Sequence, residues 1–146
     1  MAAEENMARV RAFYEQAVNS GDLTVIDDLV GNPEIIHASG SGVGQNTPET
    51  VKAWVTELRT SFPDIHVTIE ELIAHSDKVV NRVTYEGTQT GELHDAVWGT
   101  IAPTGKKITW TAIAINRFDG GRSVEAWDLI DDSSFWQQLG LIPARN

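Results

Sequence analysis

One acidic residue near the end of the chain is placed where a carboxyl group can do proton chemistry. Asp128 lies in the segment 122–131, which reads RSVEAWDLID and is predicted to be a β-strand. Successive side chains of a strand point to opposite faces, so Asp128 shares its face with Val124, Ala126 and Ile130. Desolvation raises the pKa of an unpartnered carboxyl group, and a raised pKa suits a general acid/base. We therefore expect Asp128 to contact a ligand or transfer protons; the alternative is a structural carboxylate that backbone donors satisfy.

The strand before Asp128 is predicted to form the floor of a cavity. Its residues alternate, and one face consists of Ile108, Trp110, Ala112, Ala114, Asn116 and Phe118. A three-residue hairpin loop over 119–121, with a glycine bulge, pairs Ala112 with Asp128. The same register pairs Ala114 with Ala126. Because alanine side chains leave room, this face predicts a ligand cavity that the helices roof.

Three further polar side chains are candidate partners of Asp128. Tyr14 lies near the apolar stripe of the first helix and can donate a hydrogen bond to an enolate oxygen, or it is a core aromatic with a satisfied hydroxyl. His37 follows two isoleucines and precedes a glycine-rich loop, so we place it at the cavity rim as a proton relay, or alternatively at a cap or the surface. Asn116 shares the face of the cavity floor and can hold a carbonyl group.

Tryptophans supply enough aromatic surface to hold a flat hydrophobic ligand. Trp110 is the best candidate because it shares the face of Asp128, and Trp98 is predicted to lie in a loop over the mouth of the cavity. Trp54 is on a helical stripe, so it belongs either to the core or to the ligand contacts. The chain has no cysteine, and no pair of histidines has metal-ligand spacing, so we expect no metal site.

Composition limits the classes of partner. A formal net charge of −10 disfavours binding to nucleic acid or to an anionic membrane. The acidic start of the chain lacks the apolar run of a secretory signal, and no stretch is apolar enough to span a bilayer. We therefore expect a cytoplasmic protein that acts on a small hydrophobic substrate.

The order of elements predicts one α+β domain over residues 1–146, because helices come first and an alternating antiparallel sheet follows. The predicted elements are helices over 5–20, 23–30 and 47–62, strands over 35–38, 65–70, 79–88, 108–118 and 122–131, and a terminal helical turn over 133–139. Residues 39–46 and 89–105 are predicted to be loops.

The other face of the last two strands is too apolar for open solvent. It presents Ile113, Ile115, Trp127 and Leu129. A patch of this kind usually marks a site of association. We expect a homodimer or homotetramer that forms through this outer sheet face.

Seven short motifs occur in an order that resembles the SnoaL-like polyketide cyclase family of the NTF2-like superfamily. They are FYE at 13–15, NSGD at 19–22, FPD at 62–64, GTQTG at 87–91, PTG at 103–105, VEAWD at 124–128 and QLG at 138–140. The resemblance implies an α+β cone, in which a strongly curved antiparallel or mixed sheet and N-terminal helices enclose a hydrophobic cavity. It also implies a cofactor-free aldol ring closure on a polyketide ester in antibiotic biosynthesis, with Asp128 as the acid/base.

The chain departs from the family at two positions. Ala126 stands where the family often has a histidine before the tryptophan, and Ala114 stands where it often has a histidine on the preceding strand. An aldol closure without these imidazoles needs a partner for Asp128 from elsewhere in the fold. The alternatives are isomerisation, dehydration, epoxide opening, a tailoring step that assists hydroxylation, or ligand binding without catalysis.

Overall fold

The computed structural model describes residues 2–39 and 42–144, which form helices packed on one face of a sheet. The helices are α1 (Ala2–Ala12), which continues as a π-helix (Phe13–Val18), α2 (Thr24–Leu29), α3 (Pro48–Ser61) and α4 (Asp132–Leu139). The strands are β1 (Val30–Ala38), β2 (Gly42–Asn46), β3 (His66–His75), β4 (Lys78–Thr88), β5 (Leu93–Asp95), β6 (Gly99–Ile101), β7 (Lys107–Asp119) and β8 (Arg122–Ile130).

Six of the strands form one curved, mixed sheet in the order β2-β1-β8-β7-β4-β3, and β5 and β6 form a separate hairpin. Strand β1 runs parallel to β8, and the other pairs in the sheet are antiparallel. The predicted α+β class is therefore confirmed. No helix in the described ranges combines the length and the apolar surface that crossing a membrane requires.

Local sequence signals fix the third helix where they predict it. The Thr47 hydroxyl accepts a hydrogen bond from the backbone N–H of Thr50, and the Thr50 hydroxyl accepts one from Thr47, which is a capping box. Pro48 suits the first turn because its missing N–H would have no partner there. The helix thus begins at a defined residue and holds Trp54 on the side of the cavity.

The predicted loop over 39–46 is wrong for residues 42–46. This segment is β2, whose backbone pairs with β1 from Ala38 opposite Gly42 to Glu34 opposite Asn46. Its small and polar side chains give no alternation that would reveal a strand, because an edge strand is held by backbone hydrogen bonds. Residues 40 and 41 lie outside the described residues.

The predicted register of the β7–β8 hairpin is wrong by two residues. The loop is Gly120-Gly121, both at positive φ (59° and 81°), and not a three-residue loop. A bulge then adds Val124 to β8, which restores the predicted faces at a shifted register. Asp128 therefore lies opposite Ala114.

The shifted register also moves the other pairs of the cavity floor. Ala112 lies opposite Ile130, and Ala126 lies opposite Asn116. The predicted pairs were Ala112 with Asp128 and Ala114 with Ala126. The faces are nevertheless the predicted ones, so the acid still lies among alanines.

The core fills the space between the helices and the inner face of the sheet. Its least exposed members are Val18, Ile26, Val55, Phe62, Val79, Val83 and Ile108. These side chains come from α2, α3 and the residue after it (Phe62), the π-helix and the strands β4 and β7. The packing stops short of the middle of β7 and β8, where alanines replace large residues.

Candidate active site

A cavity of about 640 Å³ lies over the alanine floor of the sheet. Its aromatic lining residues are Phe13, Tyr14, Trp54, Tyr85 and Trp110. Its carboxyl groups belong to Glu34, Asp128 and Asp132, and no arginine, lysine or histidine of the described residues lines it. A volume of this size is in the range of pockets that hold small organic ligands.

Asp128 is the lining carboxyl group that stands on the alanine floor of the cavity. It lies on β8 between Ala114 of β7 and Ala38 of β1. Within the described part of the chain, no group donates a hydrogen bond to its side chain, and Ser39 N–H donates to its backbone oxygen. Burial raises the pKa of Asp128 to about 6, and the charge of Glu34 adds to the effect. The carboxyl group thus changes protonation near neutral pH.

Glu34 is a second cavity carboxyl that the sequence reasoning missed. Its side chain, on β1, is only 4% exposed, and its Oε1 accepts a hydrogen bond from Asn46 Nδ2 at 3.1 Å. Burial raises the pKa of Glu34, while hydrogen bonds from Ser123 and Asn46 partly offset that rise. The pair of carboxyls therefore lines one apolar cavity with no cationic side chain of the described residues beside it.

Tyr14 supplies a hydroxyl group at another wall of the cavity. It is 7% exposed and donates a hydrogen bond to Asn81 Oδ1 at 2.9 Å. Burial raises the pKa of Tyr14 well above its usual value, and Tyr85 and Asp128 raise it further. The phenol therefore keeps its proton and acts as a hydrogen-bond donor.

Asn81 completes the polar group around Tyr14. It lies on β4 opposite Ala114, so one small residue separates it from Asp128 across the sheet. Its Nδ2 is buried and has no hydrogen-bond partner within the described residues. A buried donor without a partner costs roughly 1–3 kcal/mol, which is a sign of strain kept at a functional site. Asn81 is the one polar residue on a strand face that it shares with Val79, Val83 and Tyr85. The reasoning from strand alternation that selects Asp128 therefore selects Asn81 as well.

The aromatic lining is anchored by a stack beside the floor. The rings of Tyr85 and Trp110 stack at 5.1 Å between centroids with 5° between their planes. Phe62 and Phe135 pack against Trp110 at 5.2 and 4.9 Å. Trp110 therefore lines the cavity as predicted, held rigidly by its neighbours.

The remaining predicted floor residues line the cavity too. Ala112, Ala114 and Ala126 leave its space open, and Asn116 donates a hydrogen bond from Nδ2 to Ser123 Oγ at 3.0 Å. Trp54 lines the cavity while 45% exposed, so its alternative as a core residue is wrong.

Two residues predicted to belong to the site, His37 and Trp98, lie away from the cavity. His37 is on the outer face of the sheet, where its ring stacks on Trp127 at 5.1 Å and its Nε2 is 2.8 Å from a carboxylate oxygen of Glu125. The strand alternation turns Ile36 inwards, and therefore His37 outwards. Trp98 packs edge-on against Trp136 and is not among the lining residues.

The reason for each error is local. Ile35 and Ile36 are both apolar, so the sequence does not tell which of them faces the core. Trp98 lies just before β6, and the hairpin holds its ring beside α4. Within residues 2–39 and 42–144, no three His, Asp or Glu side chains are grouped as a metal ion would need.

Solved structures with the same fold support the architecture. A proposed polyketide cyclase from Bacillus cereus is 30% identical, with 94% of this chain and 82% of that chain covered at a TM-score of 0.74. IdmH, a proposed polyketide cyclase from Streptomyces antibioticus, is 25% identical, with 92% and 98% covered at a TM-score of 0.74.

Other similar structures carry different names. AclR, a proposed hydroxylase from Streptomyces galilaeus, is 24% identical, with 99% of this chain and 86% of that chain covered at a TM-score of 0.80. That level of identity shows the fold alone. No curated protein matches the chain by sequence.

The family itself is shown by sequence. The pattern of the SnoaL-like polyketide cyclases matches residues 8–139, which include the carboxyls, the tyrosine and the alanine floor of the cavity. The sheet and helices are those of the NTF2-like fold. On this evidence the chain belongs to the SnoaL-like polyketide cyclase family.

Proposed function

We propose that the protein is a cofactor-independent acid–base enzyme acting on a hydrophobic cyclic or polyketide substrate, by an aldol ring closure. The observation that carries this proposal is Asp128, a buried carboxyl group that lines an apolar cavity of about 640 Å³ and accepts no hydrogen bond from the residues that the structure describes. Family membership and the similar structures named as polyketide cyclases support an enzyme on this scaffold.

The first step uses the Asp128 carboxyl group and the Tyr14 hydroxyl group. Asp128 takes a proton from a carbon next to a carbonyl group of the substrate, and the enolate oxygen accepts a hydrogen bond from Tyr14. In the free protein Tyr14 donates to Asn81 Oδ1. A half-turn of the Asn81 amide offers its unpartnered Nδ2 to the Tyr14 oxygen, which releases the phenol proton for the substrate.

A carbon acid of suitable shape tests this step without knowledge of the natural substrate. The probe is 2-tetralone, a bicyclic ketone, whose exchange of α-protons in D2O is followed by NMR. We expect the wild-type protein to speed exchange and the Asp128→Asn variant to lose roughly a thousandfold of that rate, within the usual range for general base catalysis.

A matched variant separates chemistry from general damage. Glu125→Gln makes the equivalent change three residues away, on the outer face of the same strand, and should leave exchange unchanged. Exchange by the wild type that is no faster than by Asp128→Asn would contradict the proposal and favour a ligand-binding domain without catalysis.

Epoxide opening is the second candidate on the same groups. One of the similar structures is an LEH-like epoxide hydrolase from M. tuberculosis, which is 15% identical at a TM-score of 0.68 and so shows the fold alone. The observation in its favour is the presence of a phenol, Tyr14, and a carboxyl group, Asp128, in the lining of one cavity, since a phenol can donate to an epoxide oxygen while a carboxylate activates water. Turnover of styrene oxide, without exchange of 2-tetralone, would decide for it.

We also propose that the outer sheet face forms the contact of a homodimer. On this face the exposed fraction is 45% for Ile113, 63% for Leu129 and 54% for Ile73. Such a group of exposed large apolar side chains usually marks a site of association. Ile113 and Leu129 pair across β7 and β8, and the alternation of these strands turns both side chains away from Asp128 and the alanine floor, while Ile73 lies on β3. The cytoplasmic location stays a prediction.

A further inference from the structure

The cavity is lined by a second phenol, and its hydroxyl group is available to a ligand. Tyr85 of β4 is 5% exposed, and none of the described residues forms a hydrogen bond with its hydroxyl. In residues 2–39 and 42–144, Asn81 Nδ2 is the one fully buried side-chain nitrogen or oxygen without a partner, so the Tyr85 oxygen itself touches open space. Because Tyr85 lines the cavity, we assign that space to the cavity.

An aldol closure involves two carbonyl groups, and Tyr14 serves only the first of them, which becomes the enolate. The carbon of the second carbonyl accepts the new bond, and its oxygen becomes an alkoxide that needs a donor and then a proton. We propose that Tyr85 binds the oxygen of this second carbonyl and protonates the alkoxide. The inference rests on the proposed function, and it defines the substrate as a compound with two carbonyl groups on one skeleton.

The register places Asp128 and Tyr85 at two ends of the same floor. Asp128 lies opposite Ala114 on β7, whereas Tyr85 lies opposite Trp110, four residues away on that strand. Four residues of strand span about 13 Å. Ala112 lies between these two positions and lines the cavity with a small side chain. A substrate that lies over Ala112 therefore has the base near one end and the second phenol near the other.

The two phenols differ in what their hydroxyl groups contact. Tyr14 donates to Asn81 Oδ1 at 2.9 Å, and its ring lies edge-on to that of Tyr85, with 6.5 Å between the centroids. The ring of Tyr85 stacks on Trp110, which fixes its plane. The cavity thus has two phenol donors, one for each oxygen of a dicarbonyl compound.

The charge of Asp128 couples the two halves of the reaction. Burial raises the pKa of Tyr85 above its ordinary value, and the charge of Asp128 raises it further. The phenol therefore keeps its proton while Asp128 is ionised. When Asp128 takes the α-proton it becomes neutral, so its contribution to the raised pKa disappears as the alkoxide forms. Tyr85 is thus a better proton donor at the step that needs one.

The complete step is balanced in protons and electrons. Asp128 takes the α-proton, and the enolate carbon forms a bond to the second carbonyl carbon. The π electrons of that carbonyl move to its oxygen, which takes the proton of Tyr85 because an alkoxide is more basic than a phenolate. Transfer of the proton from Asp128 to the Tyr85 oxygen, through water in the emptied cavity, restores the starting state.

Two probe reactions separate the roles of the phenols. Exchange of 2-tetralone in D2O requires the base and a donor to the enolate. Closure of 2-methyl-2-(3-oxobutyl)cyclohexane-1,3-dione to its bicyclic ketol requires both of these and a donor to the second carbonyl. We expect Tyr85→Phe to slow closure by roughly a hundredfold while exchange stays near the wild-type rate. Tyr14→Phe should slow both reactions, and Asp128→Asn should lose both.

Suitable controls exclude a structural effect. Phenylalanine keeps the ring of Tyr85 and its stack on Trp110, and no hydrogen bond to a described residue is lost. The Tm of Tyr85→Phe should therefore match the wild type. Thr84→Val removes a hydroxyl group from the neighbouring residue of β4, which donates to Glu70 Oε1 at 3.0 Å on the outer face. This variant should leave both reactions unchanged.

The other outcomes overturn the inference. Closure by Tyr85→Phe at the wild-type rate would show that this phenol does not serve the second carbonyl. Equal losses of exchange and closure in Tyr85→Phe would make Tyr85 a donor to the enolate or a structural residue. Exchange without any closure by the wild type would refute a substrate with two carbonyl groups. Failure of exchange in the wild type would contradict the proposed function, and the inference would fall with it.

Discussion

Glu125 and Asp128 lie three residues apart on β8, and their carboxyl groups are in opposite situations. Glu125 faces outwards, 2.8 Å from His37 Nε2 and 3.2 Å from Arg117 Nε, and the hydrogen bond from His37 is the main reason that its pKa is lowered. Asp128 faces the cavity, where none of the described residues donates to its side chain, and burial raises its pKa to about 6. The two faces of one strand thus give one carboxylate a structural role and leave the other reactive.

This comparison shows that partners, and not residue type, separate a stabilising acid from a reactive one. A paired carboxylate gains from its ionised form, whereas an unpaired one in an apolar cavity is destabilised by it. The ionised carboxyl group of Asp128 on the cavity face therefore lowers the stability of the fold, whereas that of Glu125 on the outer face raises it. Such a trade-off is common at functional sites.

Removal of the Tyr14 hydroxyl should have the largest effect beyond the carboxyls themselves. We expect Tyr14→Phe to slow exchange of 2-tetralone by about a hundredfold, because one donor to a developing oxyanion has that value. Phe13→Leu, next to it in the lining, keeps the donor and serves as the control. Equal rates for Tyr14→Phe and the wild type would exclude the phenol from the reaction.

At pH 8, we expect Asp128→Asn to be more stable than the wild type and Glu125→Gln to be less stable. The folded-state pKa of Asp128 is raised, so its contribution to stability is present below its unfolded pKa and is lost as pH rises through about 6. We expect Asp128→Asn to gain about 2 kcal/mol in unfolding free energy over the wild type between pH 4 and pH 8.

Glu125→Gln should behave in the opposite way. The pKa of Glu125 is lowered, so its contribution is present above the unfolded pKa and is lost as pH falls through the folded value. The variant should be less stable than the wild type at pH 8 and equal to it in acid. Urea unfolding at several pH values measures both differences, and the same sign for both variants would remove the contrast between the faces.

A change on the outer face should alter assembly and leave the chemistry intact. We expect Leu129→Glu to convert a dimer into a monomer in analytical ultracentrifugation, because a charge cannot be buried there without a partner. Exchange of 2-tetralone should not change. Val97→Glu, at an exposed position before β6, is the control for an added charge. A wild type that sediments as a monomer would refute this surface as an interface.

The sequence predicts most of the fold because the relevant signals are local. Thr47 and Pro48 start α3, and the change from helical to alternating periodicity marks the sheet. The strand β2 has no such signal, because its backbone is what pairs with β1. The predicted register of the hairpin is wrong because a two-residue loop and a bulge at Val124 together keep the same faces as a three-residue loop. The alternation of the sequence does not distinguish these two arrangements.

The site was predicted where the alternation of a strand is unambiguous. On β7 and β8 the small and large residues alternate clearly, so the faces of Asp128 and Trp110 were foreseeable. On β1 two adjacent isoleucines conceal the faces, so His37 was assigned to the wrong side and Glu34 was overlooked. A site that combines distant strands needs the register, which sequence patterns alone do not give.

The most direct test of the account is a titration of the Asp128 carboxyl group itself. Carbon-13 NMR of aspartate-labelled protein, with Asp128→Asn to assign the signal, gives its midpoint in the folded wild type. We expect a midpoint of about 6, because burial and the charge of Glu34 both raise the pKa of this group. A midpoint near the ordinary value of about 4 would show a solvated carboxylate and contradict the central claim.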